Sequence, residues 1–146
     1  MTTPSKVTSP RRTRKTNPAL PTRRNYKPEF AVTTSSDLPF VLSENGCERV
    51  INRWHVKPID DYALACEIGE EYAAHFVQYL KDNPDCVEMN LLGLIANDIN
   101  FDDDSCAKGY WIGFFTYLEL LLYKRVKNRK VFRDLDKHRA KCFQEA

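Results

Sequence analysis

The sequence predicts a mainly α-helical protein: a small single-domain bundle of three to five helices, with a short β-hairpin near residues 40–56 and a disordered basic N-terminal arm. Three observations lead to this fold class. The hydrophobic content of 42% and the aromatic content of 12% are typical of a folded chain. A length of 146 residues suits one hydrophobic core. Apolar residues also recur at helical spacing beyond residue 60. We therefore expect a helical domain over residues 30–146, preceded by an arm over residues 1–29.

The arm is rich in proline, threonine, serine and basic residues, and it lacks glycine and apolar periodicity. Such a segment cannot bury enough apolar surface to offset the entropy lost on ordering. Arginine offers a planar fork of donors to phosphates, and an extended backbone can follow a strand or a minor groove. The predicted nucleic-acid contacts in the arm are Arg11, Arg12, Arg14, Lys15, Arg23, Arg24 and Lys27. The alternatives are a solubilising tail or, in a eukaryotic source, a nuclear-import signal at "PRRTRK".

The segment from residue 40 to residue 56 gives conflicting signals. Asn45-Gly46 lies between apolar segments, which indicates a hairpin turn. Val50, Ile51 and Trp54 also fit one face of a helix. We expect the hairpin.

Two helices are predicted between residues 60 and 99. An apolar stripe that includes Leu64, Ile68 and Phe76 indicates a first helix from Asp60 to Asn83, capped by Asp60 or Asp61 and ended by Pro84. A second helix is expected to begin at Asp85, with Glu88 three residues on as a capping box, and to run to about Ile99.

A third helix is expected to start near Ser105. It is apolar on almost every face from Tyr110 to Tyr123, which is typical of a central helix or of one shared with a second subunit. Gly109 and Gly113 lie on one face and allow another backbone to approach closely. Residues 105–144 form either one helix or two, and we expect a break near Asn128.

Charge is unevenly distributed although the net charge is only +2. Residues 1–37 contain eight Lys or Arg against two acidic residues, which gives a net charge of +6. Residues 38–123 contain five basic and fifteen acidic residues, which gives −10. Residues 124–146 contain nine basic and three acidic residues, which gives +6. The chain is therefore basic at both ends and acidic in the middle.

Each charged region suggests a partner. The basic C-terminal residues predicted to contact nucleic acid are Lys124, Arg125, Lys127, Arg129 and Lys130. Positive charge near a helix C-terminus also complements the helix dipole and needs no partner. The acidic residues predicted to contact a basic protein are Asp60, Asp61, Glu67, Glu70 and Glu71, and the apolar ones predicted to contact a protein are Trp111 and Phe115. The acidic middle can also bind the chain's own basic ends. We further expect a homodimer through residues 110–123.

The residues that catalysis needs do not occur in the required patterns. Asp98, Asn100 and Asp102 open a calcium-loop motif, but Asp103 stands where the turn needs glycine and Gly109 where a bidentate glutamate belongs. The three histidines lack zinc-binding spacing, and no phosphate loop or nucleophile elbow occurs. We expect no metal, no cofactor and no enzymatic activity.

The five cysteines form an odd set without a CxxC pair, which favours free thiols in a reducing compartment. The longest apolar run, residues 109–123, is too short for a bilayer. These features predict a cytoplasmic protein, or a nuclear one if the source is eukaryotic. The preferred function is that of a non-catalytic accessory or regulatory protein that contacts nucleic acid through its arm. The alternative is a protein-binding module or inhibitor that acts through its acidic helical face.

Overall fold

In a computed structural model of the protein, the described residues are 17–27, 34–44 and 49–145. They form a small hairpin followed by helices, which confirms the mainly helical fold class. The strands are β1 (Leu42–Ser43) and β2 (Val50–Asn52), and the helices are α1 (Tyr62–Asp82), α2 (Leu91–Asp98), α3 (Lys108–Val126) and α4 (Val131–Gln144). Short 3-10 turns occupy Ser35–Asp37 and Pro84–Cys86.

The predicted hairpin is present. Strands β1 and β2 pair antiparallel, with Leu42 opposite Asn52. The Asn45-Gly46 turn lies outside the described residues. Beyond the strands, the His55 amide donates to the Phe40 carbonyl at 2.7 Å, which extends the pairing towards the core.

Helix α1 lies within two residues of its predicted limits at each end. The Asp61 side chain accepts a hydrogen bond from the Leu64 amide at 3.1 Å, so Asp61 is the N-cap. The helix ends at Asp82, two residues before Pro84, because proline cannot supply the next backbone donor.

Helices α1 and α3 cross at very short range, and glycine makes this approach possible. A Cβ atom on Gly113 would lie 2.0 Å from the Cys66 carbonyl oxygen, and one on Gly69 would lie 2.1 Å from the Tyr110 carbonyl oxygen. The close backbone approach predicted for the Gly109 and Gly113 face is therefore made by α1 of the same chain.

Aromatic rings fill the space between the hairpin and the two long helices. Phe40, Trp54, Tyr72 and Phe114 are all buried. The Phe40 ring centroid lies 5.3 Å from that of Trp54 and 5.2 Å from that of Tyr72. The Trp54 and Phe114 rings meet edge to face at 5.2 Å. Such tilted and edge-to-face contacts add to the stabilisation from burial alone.

The predicted start of the second helix is wrong. Helix α2 begins at Leu91 instead of Asp85, and its Asn90 N-cap makes no side-chain capping hydrogen bond. Glu88 has φ of 75° and Asn90 has φ of 58°. These left-handed backbone angles cannot occur inside a right-handed helix, so the capping box between Asp85 and Glu88 does not form.

The predicted break near Asn128 is confirmed, since α3 ends at Val126 and α4 begins at Val131. Helix α3 starts at Lys108, and the turn before it contains Ser105, whose Oγ accepts from the Ala107 amide at 3.2 Å. No residue of α4 is buried. Among the described helices, none combines the length and apolar content needed to cross a membrane.

Candidate nucleic-acid interface

Residues 17–27, here called the docked segment, were assigned to the arm from the sequence, yet Arg23 and Tyr26 within it bind side chains of α1. Tyr26 is fully buried and belongs to the hydrophobic core. Its amide donates to Asp82 Oδ2 at 2.8 Å, and its carbonyl accepts from Asn83 Nδ2 at 3.1 Å. Its hydroxyl is hydrogen-bonded to His75 Nδ1. One aromatic residue thus fixes the segment through its ring and both backbone groups.

The protonation states at this contact follow from burial. Burial raises the pKa of Tyr26 to about 12, so the hydroxyl remains a donor at neutral pH. Burial also lowers the pKa of His75, although the neighbouring Glu71 carboxylate raises it in part. The imidazole is therefore neutral at pH 7, and its Nδ1 shares a hydrogen bond with the Tyr26 hydroxyl. His75 has a packed structural role here.

Two of the predicted phosphate-binding arginines face acidic groups of the same chain. Arg23 forms a bidentate pair with Glu71, in which Arg23 Nε lies 3.1 Å from Glu71 Oε2. Hydrogen bonding between them lowers the pKa of Glu71 and raises that of Arg23. Arg24 lies 3.8 Å from Asp37, with its guanidinium 4.9 Å from the Tyr26 ring centroid. Both arginines thus already have anionic neighbours.

The other predicted arm contacts divide into two groups. Lys27 is exposed, and its backbone amide donates to the Asn25 side chain at 2.9 Å. Arg11, Arg12, Arg14 and Lys15 lie outside the described residues.

Among the described residues, the strongest concentration of exposed positive charge lies at residues 124–141, here called the basic segment. It covers the end of α3, the turn after it and most of α4. Its nine basic residues are all exposed: Lys124, Arg125, Lys127, Arg129, Lys130, Arg133, Lys137, Arg139 and Lys141. Arg129 pairs with Asp134 at 3.0 Å, and within the described residues the other eight form no ion pair.

An open concavity lies where α4 begins. Arg129, Lys130, Arg133 and Lys137 line it together with Asp134. Lys130 is the N-cap of α4 and makes no side-chain capping hydrogen bond. The first amides of a helix and its dipole attract anions, and phosphate groups are typical ligands there. Arg133 and Lys137 were not predicted from the sequence, although their spacing of four residues on a helix was an available signal.

The predicted acidic interface is only partly free within the described chain. Asp61 caps α1, and Glu71 binds Arg23. Glu67 and Glu70 are exposed on the same helix, and Asp60 is exposed just before it. At least three of the five residues that were expected to face a basic protein, Asp60, Asp61 and Glu71, therefore already have interactions within the chain.

Helix α3 has two different sides between residues 110 and 123. Tyr110 and Phe114 are fully buried in the core. On the other side, Trp111 and Phe115 are half-buried, and the Phe101 ring lies 5.1 Å from the Trp111 ring. The two predicted protein contacts therefore lie on the outward side of α3, beside exposed Leu122. A homodimer through these residues stays a prediction.

The acidic residues of the failed calcium motif have local structural partners. Asp98 Oδ2 accepts from the Arg53 amide at 2.8 Å, and Asp103 Oδ1 accepts from the Ser105 amide at 2.8 Å. The residues that the structure describes contain no group of three or more His, Cys, Asp or Glu that could hold a metal ion. Cys66, Cys86, Cys106 and Cys142 are free thiols.

Comparison with known protein families, with curated proteins and with solved structures finds no match to this chain.

Proposed function

We propose that this protein is a non-catalytic accessory or regulatory protein that contacts nucleic acid, with the basic segment as its main phosphate-binding surface and the N-terminal arm as a second contact. The observation that carries the proposal is the cluster of exposed basic side chains, eight of them without an ion pair within the described residues. Lysine and arginine that neutralise phosphates release condensed counterions, which drives binding without regard to sequence.

The geometry of the turn before α4 supports the same proposal. Basic side chains from the turn and from the first two turns of α4 meet at one concavity. The α4 N-terminus adds backbone donors there, which a phosphate can use together with the side-chain donors. We infer that this concavity holds one backbone phosphate, while Lys124, Arg125 and Lys127 contact its neighbours.

The docked segment contributes less to phosphate binding in this proposal than the sequence predicts. The Glu71 and Asp37 carboxylates already neutralise Arg23 and Arg24, so phosphate contact by these arginines would have to displace an intramolecular partner. The N-terminal contacts that remain in the proposal are Arg11, Arg12, Arg14, Lys15 and Lys27.

The alternative proposal, a protein-binding module or inhibitor acting through the acidic face, has weaker support. Glu67 and Glu70 are available on the exposed side of α1, but Glu71 and Asp61 serve the fold. It predicts binding to a basic protein that is lost when Glu67 and Glu70 are changed to glutamine.

The test is the affinity of the full chain for a fluorescently labelled generic DNA duplex and a single-stranded RNA, measured by anisotropy. The variant Lys130→Gln, Arg133→Gln, Lys137→Gln removes three charges at the concavity. The control variant Arg49→Gln, Lys57→Gln, Lys81→Gln removes three exposed charges elsewhere on the domain. The full chain is preferable to a deletion of residues 1–28, because that deletion would remove the buried Tyr26.

We expect the concavity variant to weaken binding by about the same factor on every sequence, since phosphate contacts carry no base information. The control is expected to change binding much less. A third variant, Arg11→Gln, Arg12→Gln, Arg14→Gln, measures how much the arm contributes to the affinity for nucleic acid. If the wild-type chain fails to bind both nucleic acids at low salt, or if the control weakens binding as much as the concavity variant does, the proposal is wrong.

A further inference from the structure

The outward side of α3 carries an apolar groove that no described part of the chain covers. It is lined by Leu92, Trp111, Ile112, Phe115, Leu118 and Leu122, with Thr116 and Glu119 at its edge. Leu122 is 65% exposed. Contiguous apolar side chains of this kind are usually covered, because removing apolar surface from water lowers the free energy.

Helix α4 carries an exposed apolar stripe that no described part of the chain covers. Phe132 is 80% exposed, Phe143 is 82% exposed and Leu135 is 38% exposed. At 100° per residue these three side chains fall on one side of the helix, whereas Arg133 and Lys137 fall on the other. Such a helix typically lays its apolar side into a groove through anchors spaced three, four or seven residues apart.

The turn between α3 and α4 keeps this helix away from the groove of its own chain. The Arg129 amide donates to the Val126 carbonyl at 2.7 Å, and Arg129 Nε donates to Asp134 Oδ2 at 3.0 Å. These bonds set the direction in which α4 leaves α3, and no residue of α4 is buried. A second copy of the chain can supply the helix that the groove lacks.

Charge favours such a partner. Residues 124–146 carry a net charge of +6, and the domain that bears the groove carries −10 over residues 38–123. Glu119 is exposed at the groove edge, and Arg139 lies within the apolar side of α4. Neither of these two side chains forms an ion pair within the described residues.

The area is sufficient for a dimer. An aromatic side chain buries on the order of 150 Å². Phe132 and Phe143 of both copies would therefore remove about 600 Å² from water, and the facing grooves would lose about the same. The total of about 1,200 Å² reaches the lower limit of stable, specific interfaces.

We propose that two copies of this chain exchange their α4 helices, so that the apolar stripe of each α4 lies in the apolar groove of the other copy and Arg139 pairs with Glu119 across the interface. The arrangement is twofold and closed, so it stops at a dimer. It leaves Arg133 and Lys137 on the outer side of each α4, where they remain exposed.

The test is the mass of the full chain in solution without nucleic acid, measured by sedimentation equilibrium at micromolar concentrations. We expect twice the chain mass of 17.0 kDa. The variant Phe132→Ser, Phe143→Ser is expected to dimerise at least about tenfold more weakly and therefore to have the mass of a monomer at these concentrations. Its control is Ile51→Ser, Met89→Ser. These two side chains are 58% and 70% exposed and lie outside both the groove and α4. Circular dichroism checks that both variants retain their helices.

A mixing experiment tests the exchange itself. Glu119→Arg and Arg139→Glu each place like charges at both contacts of a homodimer, so each variant alone is expected to be a monomer. Mixed in equal amounts, they restore an opposite-charge pair at both contacts, and native mass spectrometry is expected to detect the heterodimer.

Three results would overturn the proposal: a monomeric wild-type chain at 100 μM, a dimer that survives Phe132→Ser, Phe143→Ser, or charge variants that do not recover on mixing. Each is measured without nucleic acid and is therefore separate from the outcome for phosphate binding.

Discussion

Tyr26 is expected to be the residue that holds the docked segment on the domain. Tyr26→Phe removes the hydroxyl that binds His75 Nδ1 and leaves this buried nitrogen without its hydrogen-bond partner. An unsatisfied buried polar group costs about 1–3 kcal/mol. Tyr26→Ala removes the ring as well, and truncation of a buried large aromatic side chain costs about 3–5 kcal/mol. The predicted order of stability is therefore wild type, then Tyr26→Phe, then Tyr26→Ala.

Urea denaturation of the full chain, followed by tryptophan fluorescence, measures these differences. Trp54 is buried in the same core and reports on global unfolding. Tyr123→Phe is the control for loss of a hydroxyl, because Tyr123 is 64% exposed and its hydroxyl can bind water. We expect Tyr123→Phe to change the free energy of unfolding by less than about 0.5 kcal/mol.

Limited trypsin digestion supplies an independent measure of docking. Cleavage after Arg23 or Arg24 is expected to be slow in the wild-type chain and faster in Tyr26→Ala, because the segment must detach to enter a protease. If Tyr26→Ala unfolds within 1 kcal/mol of wild type and is cut no faster, residues 17–27 do not belong to the folded domain and the reasoning fails.

Two further predictions concern the core and its pH dependence. Gly113→Ala forces a methyl group to 2.0 Å from the Cys66 carbonyl oxygen, so the α1–α3 crossing must open; we expect a loss of about 3 kcal/mol or more in urea denaturation. Gly93→Ala is the control, since its close neighbour is a movable side-chain oxygen of Asn90, and a loss as large as that of Gly113→Ala would contradict the argument. Burial lowers the pKa of His75 in the folded chain, so the unfolded chain takes up a proton first as the pH falls below about 6.5. The free energy of unfolding is therefore expected to fall from pH 7 to pH 5 in the wild-type chain and to fall less in His75→Gln; parallel profiles would show that this histidine does not titrate as proposed.

Local signals in the sequence were sufficient to predict the presence of the long helices. The α1 limits follow from the Asp61 cap, the apolar stripe and Pro84, all of which act within a few residues of the helix. A break between α3 and α4 was expected near Asn128, although no proline or glycine marks it in the sequence. The glycine face of α3 indicated a close helix approach, although not which helix would make it.

The contacts of Tyr26 could not be predicted because they join distant parts of the chain. A single aromatic residue among prolines and arginines has no periodic pattern, and its partners His75 and Asp82 lie 49 and 56 positions away. The start of α2 was predicted wrongly for a related reason. The capping-box residues Asp85 and Glu88 are present, but the left-handed backbone at Glu88 takes precedence over the local preference.

The candidate site was predicted in part. The basic C-terminal cluster was identified from charge alone, whereas its concavity depends on the angle between the turn and α4, which charge does not encode. From the sequence alone, Arg23 and Arg24 could not be distinguished from the other basic residues, because their ion-pair partners Glu71 and Asp37 lie far away along the chain.

The salt dependence of nucleic-acid binding tests the central claim most directly. The slope of log affinity against log salt concentration changes by about 0.9 for each phosphate neutralised on duplex DNA. Loss of three contacts in Lys130→Gln, Arg133→Gln, Lys137→Gln is therefore expected to make the slope shallower by about 2.7, whereas Arg49→Gln, Lys57→Gln, Lys81→Gln leaves it nearly unchanged. Equal slopes for wild type and the concavity variant would contradict the assignment of the basic segment as the phosphate-binding surface.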